Sequence, residues 1–157
     1  MLYRPYVPED FAALYAIEEI CFQPPFRFDV EYMFQLVQSP NTATWIAEKE
    51  GRLVGFAIVE WTDQRTGAEG YIQTIEVTPS ERGQGAGREL LARLEDSARA
   101  AGCKVIWLHV DAENAGAIHF YQARGYVYKT RAPRYYPRGR AALIYGKILE
   151  DMLDSAP

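Results

Sequence analysis

The sequence predicts one α+β domain in which helices flank a central, mostly antiparallel sheet. The chain has 157 residues, of which 48% are hydrophobic, and this suits a single domain with its own core. Apolar residues recur at helical spacing near the start and with a period of two from residue 43 to residue 77. Helix and strand patterns then alternate. The predicted order is therefore αα-βββ-α-β-α-ββ over residues 1–150, followed by a frayed tail at 151–157.

Two helices and a three-stranded meander are predicted in the first half of the chain. The first helix covers residues 8–22 and ends before Pro24-Pro25, because adjacent prolines cannot continue a helix. Asp29 is the predicted N-cap of a short second helix, which stops at Pro40. The strands are predicted over residues 43–49, 52–61 and 71–77, with a hairpin turn at Glu50-Gly51.

Two further helices and three strands are predicted in the second half. A glycine-rich turn over residues 79–87 precedes a helix over 88–101, for which Gly102 is the C-terminal cap signal. The remaining elements are predicted as a strand over 104–110, a helix over 115–124, and strands over 126–130 and 141–149.

Composition and charge exclude several classes of function. A net charge of −4 gives no general attraction for nucleic acid or an anionic membrane. No apolar run approaches the roughly 18 residues that a membrane helix needs, and the first ten residues lack the apolar core of a signal peptide, so a cytoplasmic protein is expected. Cys21 and Cys103 are too few for a cysteine zinc site and are predicted to be small buried apolar residues, so no metal is expected.

The glycine-rich turn is the most informative segment of the sequence. Glycines at 83, 85 and 87 let an anion approach the backbone just before a predicted helix, where free amides and the helix dipole favour phosphate. A dinucleotide-binding fingerprint would need glycine or alanine at Arg88, and a P-loop would need Gly-Lys-Ser/Thr. A plain structural turn is the alternative.

Two patterns together resemble a known family. Arg82-x-x-Gly85-x-Gly87 fits the form Q/R-x-x-G-x-G/A, and Asn114, Tyr121 and Gly125-Tyr126 fit N-x-x-A-x-x-[LF]-Y-x-x-x-G-[FY]. In this order they resemble the GNAT family of N-acetyltransferases over nearly the whole chain. The most similar members are the bacterial ribosomal-protein alanine N-acetyltransferases and their N-terminal acetyltransferase relatives. The resemblance implies a splayed sheet flanked by helices and an N-acetyltransferase domain over residues 1–150.

The resemblance also implies acetyl-CoA as co-substrate, with its pantetheine arm beside the strand that ends at Val77. The backbone N–H of Val77 is then the donor to the thioester carbonyl. Asn114 is explained equally well as a contact to pantetheine or as a plain helix N-cap. The implied CoA-binding residues are Ile75, Val77, Arg82, Gly83, Gln84, Gly85, Ala86, Gly87, Asn114 and Tyr121.

Three residues are implied to be catalytic. Tyr121 matches the family tyrosine that protonates the leaving thiolate, although an aromatic residue on a helix is otherwise more often part of a core. The bacterial alanine acetyltransferases carry a glutamate where this chain has His109. Together with Tyr71, His109 instead resembles a histidine–tyrosine pair of a eukaryotic N-terminal acetyltransferase branch, in which the pair holds the deprotonating water. The alternative is that His109 is a hydrogen-bonded histidine of the sheet without a catalytic role.

The reaction needs only a mild base if the acceptor is an α-amino group. Its pKa of about 7.7–8.0 leaves a useful fraction neutral at pH 7, whereas a lysine amine costs about 3.5 kcal/mol more to deprotonate. His109 therefore suits an N-terminal amine.

Two segments resemble the walls of an acceptor site. Phe22, Pro25 and Phe26 belong to an aromatic and proline-containing loop, and Tyr135 with Tyr136 resembles a tyrosine pair that holds the peptide backbone. Ordinary loop packing is the alternative. The resulting hypothesis is direct acetyl transfer, in a ternary complex, to a protein or peptide N-terminus. A small amine of the polyamine or aminoglycoside type, or a non-catalytic acyl-CoA-binding domain, is the alternative function.

The loop over residues 129–140 carries five basic residues and no acidic one. A solvated surface loop is one explanation. Because the resemblance places the tyrosine pair beside the acceptor, Arg134 and Arg138 also predict a preference for acidic residues near the acceptor N-terminus.

Overall fold

The structure is a computed structural model that describes residues 1–62 and 67–149. The strands of these residues are β1 Leu2–Pro5, β2 Thr42–Lys49, β3 Arg52–Thr62, β4 Ala68–Val77, β5 Cys103–Asp111, β6 Val127–Ala132 and β7 Ala142–Ile148. The α-helices are α1 Phe11–Cys21, α2 Val30–Gln38, α3 Ala86–Ala100 and α4 Ala115–Gln122. The predicted tail at 151–157 lies outside the described residues.

All seven strands form one sheet in the order β1-β2-β3-β4-β5-β7-β6. Neighbouring strands are antiparallel except β4 and β5, which are parallel. The pairing of β4 with β5 runs only from Ala68–Cys103 to Tyr71–Trp107 in the described part of the chain. Beyond these pairs the two strands diverge and leave a gap in the sheet. The predicted α+β class and the splayed, mostly antiparallel sheet are therefore confirmed.

The helices cover the two faces of the sheet in pairs. Leu14 of α1 and Met33 of α2 pack on Phe56 of β3 in one core cluster. Leu90 of α3 and Tyr121 of α4 belong to a second cluster on the opposite face. The alternation of side chains along β3 supplies both clusters. As a result, the gap between β4 and β5 connects two differently covered faces.

The structure adds one strand to the predicted order. β1 is only four residues long and was not predicted, because it is too short to show a period of two. Its pairing with β2 at the sheet edge is a tertiary contact that connects distant segments. Arg4 of β1 binds the carboxylate of Asp10 (2.8 Å), which also accepts the Val7 N–H (2.9 Å). The strand is thereby joined to the start of α1.

Element boundaries differ from the predictions by a few residues. The predicted first helix begins as a 3-10 turn at Pro8–Asp10 and becomes α-helical at Phe11. β4 begins at Ala68 instead of residue 71, because its first residues pair with β5. α3 begins at Ala86 instead of residue 88, inside the predicted turn. The hairpin at Glu50-Gly51 is confirmed, and both of its residues have positive φ (52° and 76°), as a type I′ turn requires.

Candidate active site

Two cavities open on opposite faces of the sheet. We call the first the aromatic cleft: it has a volume of about 1070 Å³, lies on the α1 and α2 face, and its walls include Phe22, Pro25, Phe26, Tyr71, Trp107, His109, Tyr135 and Tyr136. We call the second the glycine-loop pocket: it has a volume of about 880 Å³ and is lined by residues 81–88, Ile75, Val77, Phe120, Tyr121 and Arg124. Every predicted catalytic, cofactor-binding and acceptor-wall residue lines one of these cavities, whereas Arg134 and Arg138 line neither.

The two cavities meet at a junction of shared residues. The junction consists of Cys21, Phe22, Ile75, Asn114, Ala117 and Tyr121, each of which lines both cavities. A molecule in the glycine-loop pocket can therefore touch a molecule in the aromatic cleft through the gap between β4 and β5.

The glycine-loop pocket offers unpaired backbone amides at the start of α3. Gly83 and Gly85 have φ of +79° and +87°, which favours glycine at both positions. Gly85 is the N-cap of α3 and has no side chain with which to cap it. The Glu89 N–H donates to the Gly85 carbonyl (3.1 Å), so the amides between them have no partner in the described residues. This arrangement suits a phosphate group.

The edge of β4 that faces the gap is also available for hydrogen bonding. The Thr78 N–H donates to the Val54 carbonyl (2.9 Å), which makes Gly55–Val77 a non-hydrogen-bonded pair of the antiparallel ladder. The N–H and C=O of Val77 therefore point away from β3, towards the gap. The Val77 carbonyl accepts from Arg82 Nε (2.9 Å). Its N–H is left for a ligand, as the sequence predicts.

Tyr121 projects from α4 into the junction. It is 8% exposed and packs edge-on against Phe120 and Tyr126, with ring centroids 5.1 and 5.5 Å away. Its hydroxyl makes no hydrogen bond to the described residues. Burial raises the pKa of Tyr121 above its usual value, so the side chain keeps its proton at neutral pH. It is therefore a proton donor without an acceptor among the residues that the structure describes.

Asn114 begins α4 and fixes its orientation. The Asn114 Oδ1 accepts from the Ala117 N–H (3.0 Å), which is the N-cap interaction that the sequence allowed. Asn114 also lines both cavities, so its role towards a ligand stays a prediction.

Tyr71 and His109 form a hydrogen-bonded pair in the aromatic cleft. The Tyr71 hydroxyl and His109 Nδ1 are 2.9 Å apart, and the His109 ring lies flat on Tyr135 with centroids 4.0 Å apart. Burial lowers the pKa of His109 and raises that of Tyr71, so both are neutral at neutral pH. If Nδ1 donates to the Tyr71 oxygen, Nε2 is free to accept a proton.

The opposite wall of the aromatic cleft is the segment between α1 and α2, residues 22–28, which we call the wall segment. Its end is held by the Tyr15 hydroxyl, which donates to the Phe28 carbonyl (2.8 Å). The Arg140 guanidinium lies 5.3 Å above the ring of Phe26 and forms ion pairs with Asp111 and Glu113. Arg140 thereby joins the two walls, and its charge is already balanced.

The charged residues of the cleft differ from those that the sequence predicts. Arg134 and Arg138 are exposed, have left-handed backbone (φ 58° and 65°), and do not line the aromatic cleft. Glu60 and Glu69 line it instead, and neither forms a salt bridge in the part of the chain that the structure describes. The prediction that Arg134 and Arg138 read the acceptor therefore lacks a structural basis.

Sequence reasoning also missed several residues of the site. Trp107 could have been found, since it lies two residues before His109 and hence on the same face of β5. Cys103 is buried as predicted, but Cys21 is only partly buried and its thiol faces the Val77 carbonyl (3.8 Å). The other missed residues are Glu18, Tyr32 and Gln73 in the aromatic cleft and Arg88, Phe120 and Arg124 in the glycine-loop pocket.

Neither a metal site nor a membrane helix is found in residues 1–62 and 67–149. No group of three or more His, Cys, Asp or Glu side chains there is arranged to hold a metal ion. No helix among these residues combines the length and apolar character needed to cross a membrane.

Comparison with known proteins agrees with this geometry. The chain matches the model of the acetyltransferase (GNAT) family over residues 11–126. The [ribosomal protein bS18]-alanine N-acetyltransferase of Escherichia coli is 32% identical over 129 residues, which cover 82% of each chain. Streptothricin acetyltransferase of Streptomyces lavendulae is 40% identical over 95 residues, which are 58% of this chain and 48% of that protein. The chain thus spans about half the length of this second relative.

Solved structures show the same fold. The crystal structure of the ribosomal-protein-S18-alanine N-acetyltransferase from Escherichia coli has a TM-score of 0.83 at 26% identity, covering 99% of this chain and 98% of that one. The NatC complex bound to Gag peptide and CoA has a TM-score of 0.82 at 22% identity, covering 95% and 98%, and supports the fold alone. With the two cavities and their junction, these comparisons show that the chain belongs to the acetyltransferase (GNAT) family.

Proposed function

We propose that this acetyltransferase moves an acetyl group from acetyl-CoA to the N-terminal α-amino group of a protein or peptide. The observation that carries the proposal is the junction, where a pocket suited to a phosphate-bearing cofactor meets a long aromatic cleft through the gap in the sheet. Transfer is direct, within a ternary complex of enzyme, acetyl-CoA and acceptor.

The glycine-loop pocket fits acetyl-CoA on structural grounds. The free amides at the start of α3 suit the pyrophosphate, and the free N–H of Val77 on the gap side of β4 suits the thioester carbonyl. Arg88 and Arg124 add positive charge to the same pocket. Acetyl-CoA supplies the activated acetyl group, and the protein supplies position and proton transfer.

Tyr121 of the junction and the Tyr71–His109 pair of the aromatic cleft complete the reaction. The neutral amine attacks the thioester carbonyl carbon, a C–N bond forms, and the C–S bond breaks. The amine gives up its proton to His109 Nε2, directly or through one water, while Tyr71 holds the ring. The Tyr121 hydroxyl gives its proton to the leaving thiolate. Amide and thiol are the products, and neither cysteine carries the acetyl group.

An α-amino group suits this site better than a lysine amine. The proposed base, His109, is a neutral histidine whose pKa is lowered by burial, so it is a weak base. Deprotonating a lysine amine costs about 3.5 kcal/mol more than deprotonating an α-amine. The stacked rings of His109 and Tyr135 also make a flat wall along which an extended peptide can lie.

A small cationic amine is the second candidate acceptor. The similarity to streptothricin acetyltransferase favours it, as do the carboxylates of Glu60 and Glu69 in the aromatic cleft, which form no salt bridge in the described residues. Such an acceptor would use the same junction and the same proton transfers.

Mass spectrometry of an acceptor panel decides between the two. The panel contains one peptide with a free N-terminus, the same peptide with a blocked N-terminus and an internal lysine, and two small amines, spermidine and streptothricin. We expect one acetyl group on the free α-amine and none on the blocked peptide. Rapid acetylation of a small amine with no peptide product would replace the first candidate with the second. Tyr121→Phe serves as the control for non-enzymatic acetylation.

A further inference from the structure

Two carboxyl groups that form no salt bridge in the described part of the chain are buried side by side next to the junction. Glu18 of α1 is 0% exposed and Glu76 of β4 is 3% exposed. The Glu18 Oε2 accepts from the Phe28 N–H (3.0 Å), and the Glu76 Oε2 accepts from the Thr74 hydroxyl (2.8 Å). The remaining oxygen of each, Oε1, is buried and has no donor among the described residues. Both carboxyl groups thus have one oxygen satisfied and one unsatisfied.

No salt bridge neutralises this pair in residues 1–62 and 67–149. The groups that face Glu76 are Glu18 and Cys21 from α1, Thr74 from its own strand, and Arg82 from the loop after β4. Arg82 is committed elsewhere, since its Nε donates to the Val77 carbonyl (2.9 Å) and a second nitrogen contacts the Cys21 thiol (3.6 Å). The surrounding core of α1, α2 and β3 is apolar: Leu14, Ile17, Met33, Phe56 and Ile58.

A single shared proton satisfies the Oε1 atoms of both glutamates and removes one of the two negative charges. The side chains of Glu18 and Glu76 are within hydrogen-bonding reach of each other. Two buried carboxylates this close repel strongly, whereas one proton between them gives each Oε1 a partner and removes one charge. Burial, and then the contact with Glu18, accordingly raises the pKa of Glu76 far above its usual range.

We propose that Glu18 and Glu76 share one proton and act as positioning residues that hold the wall segment against β4. Glu18 makes the connection, because its other oxygen binds the amide of Phe28 at the end of that segment. When the proton is lost, the two carboxylates repel and the wall segment loses its attachment beside the junction. The consequence for acceptor binding rests on the proposed function, whereas the shared proton does not.

The proton is measured by denaturant unfolding as a function of pH. Between about pH 5 and pH 8 the glutamates of the unfolded chain are ionised, so the folded chain holds one proton more. The unfolding equilibrium constant of the wild type should therefore rise by about tenfold per pH unit relative to that of Glu76→Gln. Glu18→Gln should match Glu76→Gln.

Glu95→Gln is the control for this measurement. Glu95 is also buried, but its carboxylate is paired with Lys147 (3.1 Å) and with the Tyr126 hydroxyl (2.8 Å) on the other face of the sheet. It should keep the wild-type slope. Equal slopes in the wild type and in both variants of the pair would overturn the proposal.

The positioning role is measured with Glu76→Ala, which removes the partner of Glu18 Oε1. We expect faster hydrogen exchange at the Phe28 amide and an acceptor KM about tenfold higher, with kcat unchanged. Glu76→Gln should restore both, because its amide can donate to Glu18. Unchanged Phe28 exchange in Glu76→Ala would overturn the positioning role. If no acceptor is acetylated, the proposed function fails, and unfolding and exchange still decide this proposal.

Discussion

The glycine-loop pocket and the aromatic cleft are built in different ways. Most residues that line the pocket belong to one stretch of chain, from β4 through the turn to the start of α3, and this stretch offers its backbone amides. The cleft is formed by side chains from α1, the wall segment, β4, β5 and the loop before β7. One cavity therefore depends on local conformation and the other on tertiary packing.

This difference indicates where the enzyme can vary. Backbone amides bind an invariant group such as pyrophosphate whatever the neighbouring side chains are. Side chains such as Tyr135 and Glu69 can change without disturbing that binding. We therefore expect changes in the pocket to affect the cofactor and changes in the cleft to affect the acceptor. Only changes at the junction and at the Tyr71–His109 pair should affect the chemical step.

The largest effect is expected at the junction. Tyr121→Phe should lower kcat by about 10²–10⁴-fold, since it removes the proton donor for the leaving thiolate. CoA affinity, measured by calorimetry, should stay the same. Tyr128→Phe is the control, because Tyr128 is 51% exposed on β6 and lines neither cavity. An undiminished kcat in Tyr121→Phe would make this residue structural.

A change in the glycine loop should act on the cofactor alone. Gly85→Val strains a backbone with φ of +87°, places its Cβ 3.4 Å from Arg88, and covers the amides before α3. Losing one or two charge-assisted hydrogen bonds of about 1.5–3 kcal/mol each lowers CoA affinity by about 10-fold to 10⁴-fold. Calorimetry measures this change directly.

Gly102→Val is the matched control for Gly85→Val. Gly102 has nearly the same φ (+88°) at the other end of α3 and has nothing within 4 Å of an added Cβ. It should lose stability without losing CoA affinity. Equal CoA binding by folded Gly85→Val and by the wild type would remove the glycine loop from the cofactor site.

The base should give an acidic limb in the pH profile. Burial lowers the pKa of His109, so the ring accepts its proton only below its ordinary value of about 6.5. Below that lowered pKa, kcat/KM should fall by about tenfold per pH unit. For the same reason the stability that neutral His109 contributes is fully present above the ordinary value and is lost as pH falls from there through the lowered pKa of the folded chain.

The acidic limb can come from protonation of His109 or from protonation of the acceptor amine. A series of acceptors with different amine pKa values separates these two origins. A limb that stays constant across the series and disappears in His109→Ala belongs to the enzyme. If the limb instead shifts with the amine pKa of each acceptor and persists in His109→Ala, His109 is excluded as the base.

A change in the cleft should act on the acceptor alone. Tyr135→Ala removes the ring stacked on His109 at 4.0 Å, a contact that adds about 0.5–1.5 kcal/mol to the area it buries. The acceptor KM should rise by about tenfold, with CoA affinity unchanged. Tyr128→Ala removes a tyrosine of similar exposure, 51% against 48%, and should change neither. A weaker CoA complex in Tyr135→Ala would show that the two cavities are not separable.

The smallest effect concerns charge in the cleft. Glu60 and Glu69 have no ion pair in the described residues, while Arg140 is already paired, so the cleft should favour acceptors with lysine or arginine over aspartate or glutamate. Screened pairs of about 0.2–1 kcal/mol predict a several-fold preference in kcat/KM that shrinks with salt. Glu69→Gln should reduce this preference, and a preference for acidic acceptors would instead support Arg134 and Arg138.

The same contrast explains what could be predicted from the sequence. The turn before α3 was predicted because it is local: its glycines and the start of the helix lie within a few residues. The spacing from Asn114 to Tyr121 is likewise contained in one helix. In both features the residues that determine the geometry lie within one short segment. Such features can therefore be recognised as sequence motifs.

Features that depend on tertiary packing could not be predicted in this way. The contact of Glu18 with Glu76 joins a helix to a strand far along the chain, and no local sequence pattern predicts it. β1 was not predicted because its residues form a strand only through their pairing with β2, which lies far along the chain. The charge of the cleft was misjudged because Arg134 and Arg138 are close in sequence to Tyr135 but do not line the cleft.

The affinity of a CoA–peptide conjugate tests the central claim, that two separate cavities meet at one junction. The conjugate joins the CoA sulfur to the α-nitrogen of an acceptor peptide through an acetyl bridge. Linking ligands of two adjoining sites raises affinity by about 10²–10⁴-fold without any new contact. We therefore expect calorimetry to show the conjugate binding at least about 100-fold more tightly than CoA alone, and this gain should shrink by about tenfold in Tyr135→Ala. Equal affinities for CoA and the conjugate would contradict the account.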